Sequence, residues 1–480
     1  NRNHLLRFLA LRPGTAASRM KLSIQALRQR YALLDAAHKR IAHGAAWVFL
    51  FVLIGKLAGA VKEMAVAYRY GVSGVVDAYQ LATTLVTWLP GTLVSVLSIV
   101  LIPMFVRLRQ QGADERSEFL REMQGSALVV GIILGAASIL FAPFVLPALA
   151  GRLSEATRQM AWQFTLGMAP VALLTLLIGI YSARLMARER QANTLLEGVP
   201  ALIILAFILL WSLGGDIAPL LWGTVLGMTI QTAWLSRLAG QTDGERASPR
   251  LSWHSSHWRE FKKAAAIMAV GQIAMSCITP LDQYTVAQLG DSAIATLGYA
   301  NRIIGLLLSL GAMAISRAAL PVMADLSALG QAEKARYMAL KWAALMLAVG
   351  TFVALLAWLL APWGIALLFE RGAFGAQDTL VVTTVFRWGL IQTPFYFAGL
   401  VMVQWLASRQ QYRSIALVAA ANFLIKLALN GSMSSAFGLS GIMMATGVMY
   451  GFAFICYFSI GYWSTDYSGD QGTGPEITRS

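Results

Sequence analysis

The sequence predicts an all-α polytopic membrane protein, with about twelve transmembrane helices in two parallel six-helix repeats around a central cavity. Three observations predict it. Of 480 residues, 57% are apolar and only 13% charged, with a mean hydropathy of +0.62, whereas soluble domains carry about 25% charged residues. Apolar runs near the roughly 20 residues that cross a bilayer recur along the chain. The two halves of the chain also repeat one pattern.

Taken in order, the first span, 45–69, opens with "AAWVFLFVLIG" and then carries Lys56, Lys62 and Glu63. A charge near the bilayer centre costs at least about 2.5–3.5 kcal/mol on insertion scales, so these three are expected to face something other than lipid. Lys56 and Glu63 share one helical stripe with Lys62 beside it, and Gly55 and Gly59 could let the helix bend. The second span, 77–106, opens at Asp77 and closes on "IPMFVRL"; the third, 125–148, ends in "FAPF". The fourth, 160–183, follows "RLSEATRQMAWQF", which reads as a short interfacial helix. The fifth and sixth, 193–213 and 216–236, are apolar runs parted at Gly214 and Gly215. The second half supplies 264–289, 293–322, 340–361, 379–406, 414–435 and 438–463. Trp211, Trp363, Trp405 and Trp463 fall at span ends, as an aromatic belt requires.

Charge sets the expected orientation. Residues 1–44 form a basic tail with nine Lys/Arg and one acid, without the apolar core of a cleaved signal. With that tail in the cytoplasm, the tail, alternate loops and C-terminus hold 28 basic residues and the opposite loops four, Arg69, Arg152, Arg158 and Arg371. Both termini are therefore expected inside. The organisation reads as tail 1–44, N-terminal lobe 45–236, cytoplasmic linker 237–263, C-terminal lobe 264–463 and cytoplasmic tail 464–480. Six basic residues remain within spans: Lys56, Lys62, Arg302, Arg317, Arg387 and Lys426.

The repeat is seen by setting Pro103 on Pro321. Gly112 then falls on Gly330, Glu115 on Glu333, Arg116 on Lys334 and Phe119 on Tyr337, and "FAPF" meets "LAPW" one residue out of register. Six spans per half give both repeats the same orientation. Repeats so related hold substrate between them and alternate access by rocking. Lys56, Lys62, Glu63, Asp282 and Arg302 lie on the first two spans of each half, where such a cavity would be lined.

"GKLAGAVKEMAVAYRYGVSGVVDAYQLA", "GYANRIIGLLLSLGAMAISRAALPVMA" and "LFERGAFGAQDT" resemble stretches of MurJ/MviN-type flippases of the multidrug/oligosaccharidyl-lipid/polysaccharide exporter superfamily. The resemblance covers about 45 to 463, and "LFERGAF" is its most specific part. It implies alternating access through a cationic cavity that moves a polyprenyl-diphosphate-linked saccharide across the bacterial inner membrane. It places Lys56 and Lys62 at two cavity arginines of the family, Glu63 at the acid after them, Asp77 at the acid opening the second helix, and Arg302 at the Arg of "YADR", here "YANR". The family's cavity arginine near "TWLPG" is absent. The type case also has fourteen spans, so a polysaccharide repeat unit is favoured as cargo, with lipid II close behind.

Each residue has a plainer reading. Lys62 and Arg302 either contact a diphosphate or pair internally with Glu63 and Asp282; Lys56 stands in the same position with its neighbours unknown. Asp77 is either a gate residue or the N-cap of its own helix. Asp282, after Pro280, is either a cation or proton site or the partner of a basic neighbour. Arg317 reads as a snorkelling residue, Arg387 and Lys426 as secondary cavity or crevice residues, and Glu370–Gly372 as a structural turn. "HSSH" at His254 and His257 reads as a solvated loop, not a metal site. No catalytic motif, P-loop or cofactor signature is present, and a coupling cation is left open. Cys277 and Cys456 lie in apolar stretches and support no disulfide framework. For the basic tail, anionic membrane lipids are nearer partners than nucleic acid. Two rival functions stand beside the flippase: a cation-coupled multidrug exporter of the same superfamily, and a non-transporting scaffold for envelope-synthesis enzymes.

Overall fold

The structure is a computed structural model. It describes the backbone of residues 36–108, 113–149, 151–188, 196–211, 217–243, 248–328, 331–409 and 411–463, with side-chain surroundings from 52 onward except at 113–116, 149, 267, 270, 314, 316–330 and 332. The chain divides into two compact units, residues 1–54 and the body from Gly55 on. The described residues are helical throughout, with no strand among them.

Each expected span has a helical counterpart. The first half contains α1 (Ala36–Tyr70), α2 (Gly74–Leu108), α3 (Ala113–Leu149), α4 (Glu155–Met168), α5 (Pro170–Met186), α6 (Val199–Leu210) and α7 (Ala218–Asp243). The second contains α8 (His257–Ser276), α9 (Ile278–Ala287), α10 (Ala293–Ala328), α11 (Ala332–Phe369), α12 (Ala376–Gly389), α13 (Gln392–Ser408), α14 (Tyr412–Phe437) and α15 (Leu439–Trp463). Among the described residues, seven helical segments are long and apolar enough to cross a membrane, or up to nine if each bent pair is one span. Three expected spans are missing from that count: α6 has only 12 residues, the start of α1 lies outside the described side chains, and α7, at 26 residues, is long enough but not apolar enough. Helix α2 has 35 residues and α10 has 36, and the helices that follow them have 37 and 38. At about 1.5 Å per residue these outrun a hydrocarbon core of about 30 Å, so their ends project beyond it.

The fourth span is built from two helices. The segment read as an interfacial helix is α4, whose N-terminus is capped by Ser154 accepting from Thr157 N–H (3.3 Å). It meets α5 at a 49° bend, and the two together have the length and apolar character of a span. Helix α4 buries Ala161, Phe164, Thr165 and Met168, and Phe164 meets Tyr79 of α2 edge-on at 5.5 Å. The helix stays apolar on that face because it packs on α2. Trp405 is a correction: it is wholly buried in the C-terminal core, not part of a belt, whereas Trp363 and Trp463 are exposed.

The core differs from one end of the molecule to the other. At the end where α1 stops at Tyr70, one cluster joins both halves, with Val66, Tyr70, Tyr79 and Phe164 packed together with Ile294, Leu297, Tyr299 and Phe374. Towards the opposite end there are two separate cores. One is built on Leu101, Phe105, Phe119 and Leu120, the other on Ala339, Phe397, Trp405 and Leu406. Burial of apolar area thus welds elements of both halves broadly at the first end, whereas at the other end only α8 of the second half, through Trp258 and Phe261, joins the core of the first.

Backbone contacts finish the welded end. Ala373 N–H donates to Tyr68 O (2.8 Å) and the Tyr299 hydroxyl donates to Gly71 O (2.9 Å). Gly71 and Gly372 both have left-handed backbones, φ +58° and +62°, which glycine adopts without steric cost. A Cβ on Gly71 would lie 2.4 Å from Ala373 O, and one on Gly372 2.3 Å from Tyr68 O. The turn in "ERGAF" is therefore structural: it carries Phe374 onto Tyr299, edge to face at 5.3 Å.

The linker is not merely solvated. Glu122 of α3, itself buried, accepts hydrogen bonds from Ser252 Oγ (2.6 Å), His254 N–H (2.9 Å), Ser255 N–H (3.2 Å) and Trp258 Nε1 (2.8 Å). Trp258 and Phe261 then join the N-terminal core, and Arg107 pairs with Glu260 (2.6 Å). The "HSSH" loop is thus pinned to the first half by one carboxylate, a correction to its reading as a free loop. Among the described residues no cluster of three or more ligating side chains forms there or elsewhere.

Candidate functional site

Helix α1 runs unbroken past Gly55 and Gly59 and delivers Lys62 and Glu63 to its inward side. Both are buried, 8% and 9% exposed. Glu63 Oε1 accepts from Lys62 Nζ (2.5 Å) and from Arg302 Nε of α10 (2.9 Å). One carboxylate thus gathers a cation from each half, so the internal pairing with Glu63 is present for both. The two ends of the cluster differ: the Lys62 side chain is 10% exposed, whereas that of Arg302 is 55% exposed. Beyond its Nε contact, the guanidinium fork presents donors of the kind that grip phosphate bidentately. Lys56 is exposed on the same helix, within electrostatic range of Glu197 before α6, a partner the sequence reading did not find.

Asp77 caps a helix, but not its own. It sits in the first turn of α2, fully buried, and its carboxylate accepts from Ser292 N–H and from Ala295 N–H (2.6 Å). Those are the orphan amides that open α10 of the other half. Ser292, held there at φ +70°, is the only described non-glycine residue with a left-handed backbone. Asp77 therefore ties the first half to the second at the welded end.

Asp282 does not pair with Lys62 or Arg302. Its Oδ1 accepts from Lys426 Nζ of α14 (3.1 Å) and from Asn430 Nδ2 (2.7 Å). Lys426, left without a named partner by the sequence, is thus fully buried and paired. Its signal was legible: the buried residues of α14 are Val418, Asn422, Lys426, Asn430 and Ser434, every fourth position and polar after the first. Arg387 serves neither group. Its guanidinium lies over the Trp358 ring, 4.3 Å from the centroid, and Nε donates to Trp358 O (3.1 Å). The side chain of Arg317 lies outside the described residues.

A further contact between the halves sits near Asp282. Pro280 has no N–H to offer Ser276 O, the acceptor four residues back, and the helix breaks there between α8 and α9. Trp88 Nε1 of α2 donates to that carbonyl instead (3.1 Å). Trp88 stands in "TWLPG" and makes a neutral hydrogen bond across the halves.

Comparison with known proteins agrees with this architecture. Residues 66–469 match the family model described as "Lipid II flippase MurJ". A probable lipid II flippase MurJ from a Synechocystis species is 27% identical over 435 residues, covering 85% of this chain and 79% of that protein. The fold is that of a solved lipid II flippase MurJ in an inward closed conformation, with TM-score 0.76, 18% identity, and coverage of 86% of this chain and 87% of that one. An inward-facing multidrug resistance MATE family transporter of the MOP superfamily is similar at TM-score 0.68 and 14% identity, over 86% and 94% of the two chains. Because the matched region spans most of the sequence, the chain belongs to the lipid II flippase MurJ family, whose members are membrane transporters and not enzymes.

Proposed function

We propose that this chain flips an undecaprenyl-diphosphate-linked saccharide from the inner to the outer leaflet of a bacterial inner membrane by alternating access, with lipid II as the cargo. The observation that carries this reading is the charge at the junction of the halves. Arg302 and Lys62 outnumber the one carboxylate they share, and Arg302 is more than half exposed beside it. A cavity for organic cations wants the opposite balance. Lipid II is preferred to a polysaccharide repeat unit because the relatives carry that name.

The basic tail and the 28-to-4 loop asymmetry favour cytoplasmic termini. The welded end then faces outward, and the two separate cores face the cytoplasm. In this state cargo would enter from the inner leaflet, its diphosphate meeting Arg302, with Lys62 holding Glu63 so that the arginine fork stays aimed. Rocking of the halves would break the Asp77 and Tyr299 contacts and open the outer side. Six cations within spans argue against a scaffold, which gains nothing from their insertion cost.

The test is competition binding on purified protein, with lipid II, a diphosphate-linked polysaccharide repeat unit and lipophilic organic cations as ligands. Lipid II should bind tightest and be displaced by the other diphosphate lipid but not by organic cations. Binding of organic cations alone would overturn the reading in favour of a multidrug exporter.

A further inference from the structure

We propose that the Lys426 ammonium is a resident cation: it fills an oxygen-lined monovalent-cation site between α9, α14 and α15, so that the chain carries this charge covalently instead of recruiting a free ion. The inference concerns the second half alone and does not depend on what the protein transports.

The donor set is that of a hard cation. Lys426 Nζ meets Asp282 Oδ1 at 3.1 Å, Ile442 O at 3.0 Å and Thr446 Oγ1 at 2.5 Å. These are a carboxylate, a backbone carbonyl and a hydroxyl, oxygen ligands of the type that bind alkali and alkaline-earth ions. The hydroxyl hydrogens nearby are committed elsewhere. Thr446 Oγ1 donates to Ile442 O (3.0 Å) and Thr285 Oγ1 to Leu281 O (2.8 Å), which leaves lone pairs turned to the cluster. Asn430 Nδ2 orients the cage by donating to Asp282 Oδ1 and to Thr285 Oγ1 (3.3 Å). A second, independent feature points the same way. Asn430 Oδ1, on a residue 1% exposed, has no hydrogen-bond partner among the described residues, and neither has Asn422 Oδ1 one turn from Lys426. The site thus holds more acceptors than its one ammonium satisfies.

Burial matters as well. Lys426 is 0% exposed while the Asp282 side chain is 23% exposed, so the ammonium occupies the buried side of that carboxylate. Removal of the ammonium should leave a partly buried carboxylate among uncommitted oxygens, a vacancy that a small monovalent ion with one or two waters can enter.

The experiment uses the full-length protein, purified and reconstituted, with melting followed in sodium, potassium, methylammonium and choline chlorides at equal ionic strength. The wild type should melt at one temperature in all four. Lys426→Ala should melt lower in choline and recover, with saturation, in sodium or methylammonium; Lys426→Ala/Asp282→Asn should lose that recovery. Lys426→Ala melting equally low in every salt would reduce the lysine to a structural partner and overturn the proposal. Should Lys426→Ala fail to fold, the wild type decides through equilibrium binding of radioactive sodium, read against Asp282→Asn. No saturable binding to the wild type is expected. Saturable binding that Asp282→Asn abolishes would show that the site recruits a free ion despite Lys426.

Discussion

Among the described residues, two of the ion groups are built on opposite plans. In the first, Glu63 is shared by Lys62 and Arg302 from different halves, and the Arg302 side chain is 55% exposed. In the second, Asp282 holds Lys426 within one half, and the lysine is 0% exposed. The contrast teaches where intramembrane charge can do work. A pair held within one half, with its lysine fully buried, fixes helices to one another. A pair that spans a moving junction and keeps a guanidinium in the open can exchange its carboxylate for an anionic guest.

The strongest way to break this comparison is at the buried group. Lys426→Met keeps the length of the side chain and removes its charge, stranding Asp282. Loss of one partner from a buried pair costs about 3–5 kcal/mol, so denaturation in choline buffer should show the largest fall of any variant here. A result within about 0.5 kcal/mol of wild type would mean that the site is wetter than its burial shows. Glu63→Gln comes next. It removes the acceptor of a lysine only 8% exposed, and a hydrogen bond between charged groups is worth about 1.5–3 kcal/mol; the melting midpoint should fall, but less than for Lys426→Met.

The welded end offers the third test. Gly372→Ala imposes a left-handed alanine, worth about 1–2 kcal/mol, and places its Cβ on Tyr68 O. It should lower stability and raise the labelling of a cysteine at Tyr68 from the side that end faces. Asp77→Ala removes the cap on α10 and should cost about 0.5–2 kcal/mol with the same rise in labelling. Unchanged labelling in both would mean that the apolar cluster alone holds that end. The smallest stability effect belongs to Arg302→Gln. Exposed ion pairs contribute about 0–1 kcal/mol, so its midpoint should barely move.

Much of this was legible in the sequence because membrane burial makes charge conspicuous. Lys62, Glu63 and Arg302 stood out as insertion costs without a reason, and the structure brings those three together. The expected pairing of Asp282 with Lys62 or Arg302 failed for a geometric cause: the break at Pro280 starts a separate helix, α9, whose Asp282 side chain meets α14 instead. The every-fourth polar stripe of α14 could have named that partner, since a lipid-facing helix has no use for Asn422, Lys426, Asn430 and Ser434 on one side. Asp77 was readable as a cap, but which helix it capped was not, because local propensity carries no information about a helix 215 residues away. Glu122 left no trace at all. An acid near a span end looks solvated, and only the fold shows four donors converging on it.

The central claim is that the open group receives the diphosphate. Its most direct test is lipid II binding to purified Arg302→Gln and Arg302→Lys, measured beside their melting midpoints. We predict that Arg302→Gln loses binding with its midpoint unchanged, while Arg302→Lys, which keeps the charge without the fork, binds weakly. Wild-type binding by Arg302→Gln together with a lowered midpoint would contradict the claim and leave Arg302 a structural partner of Glu63.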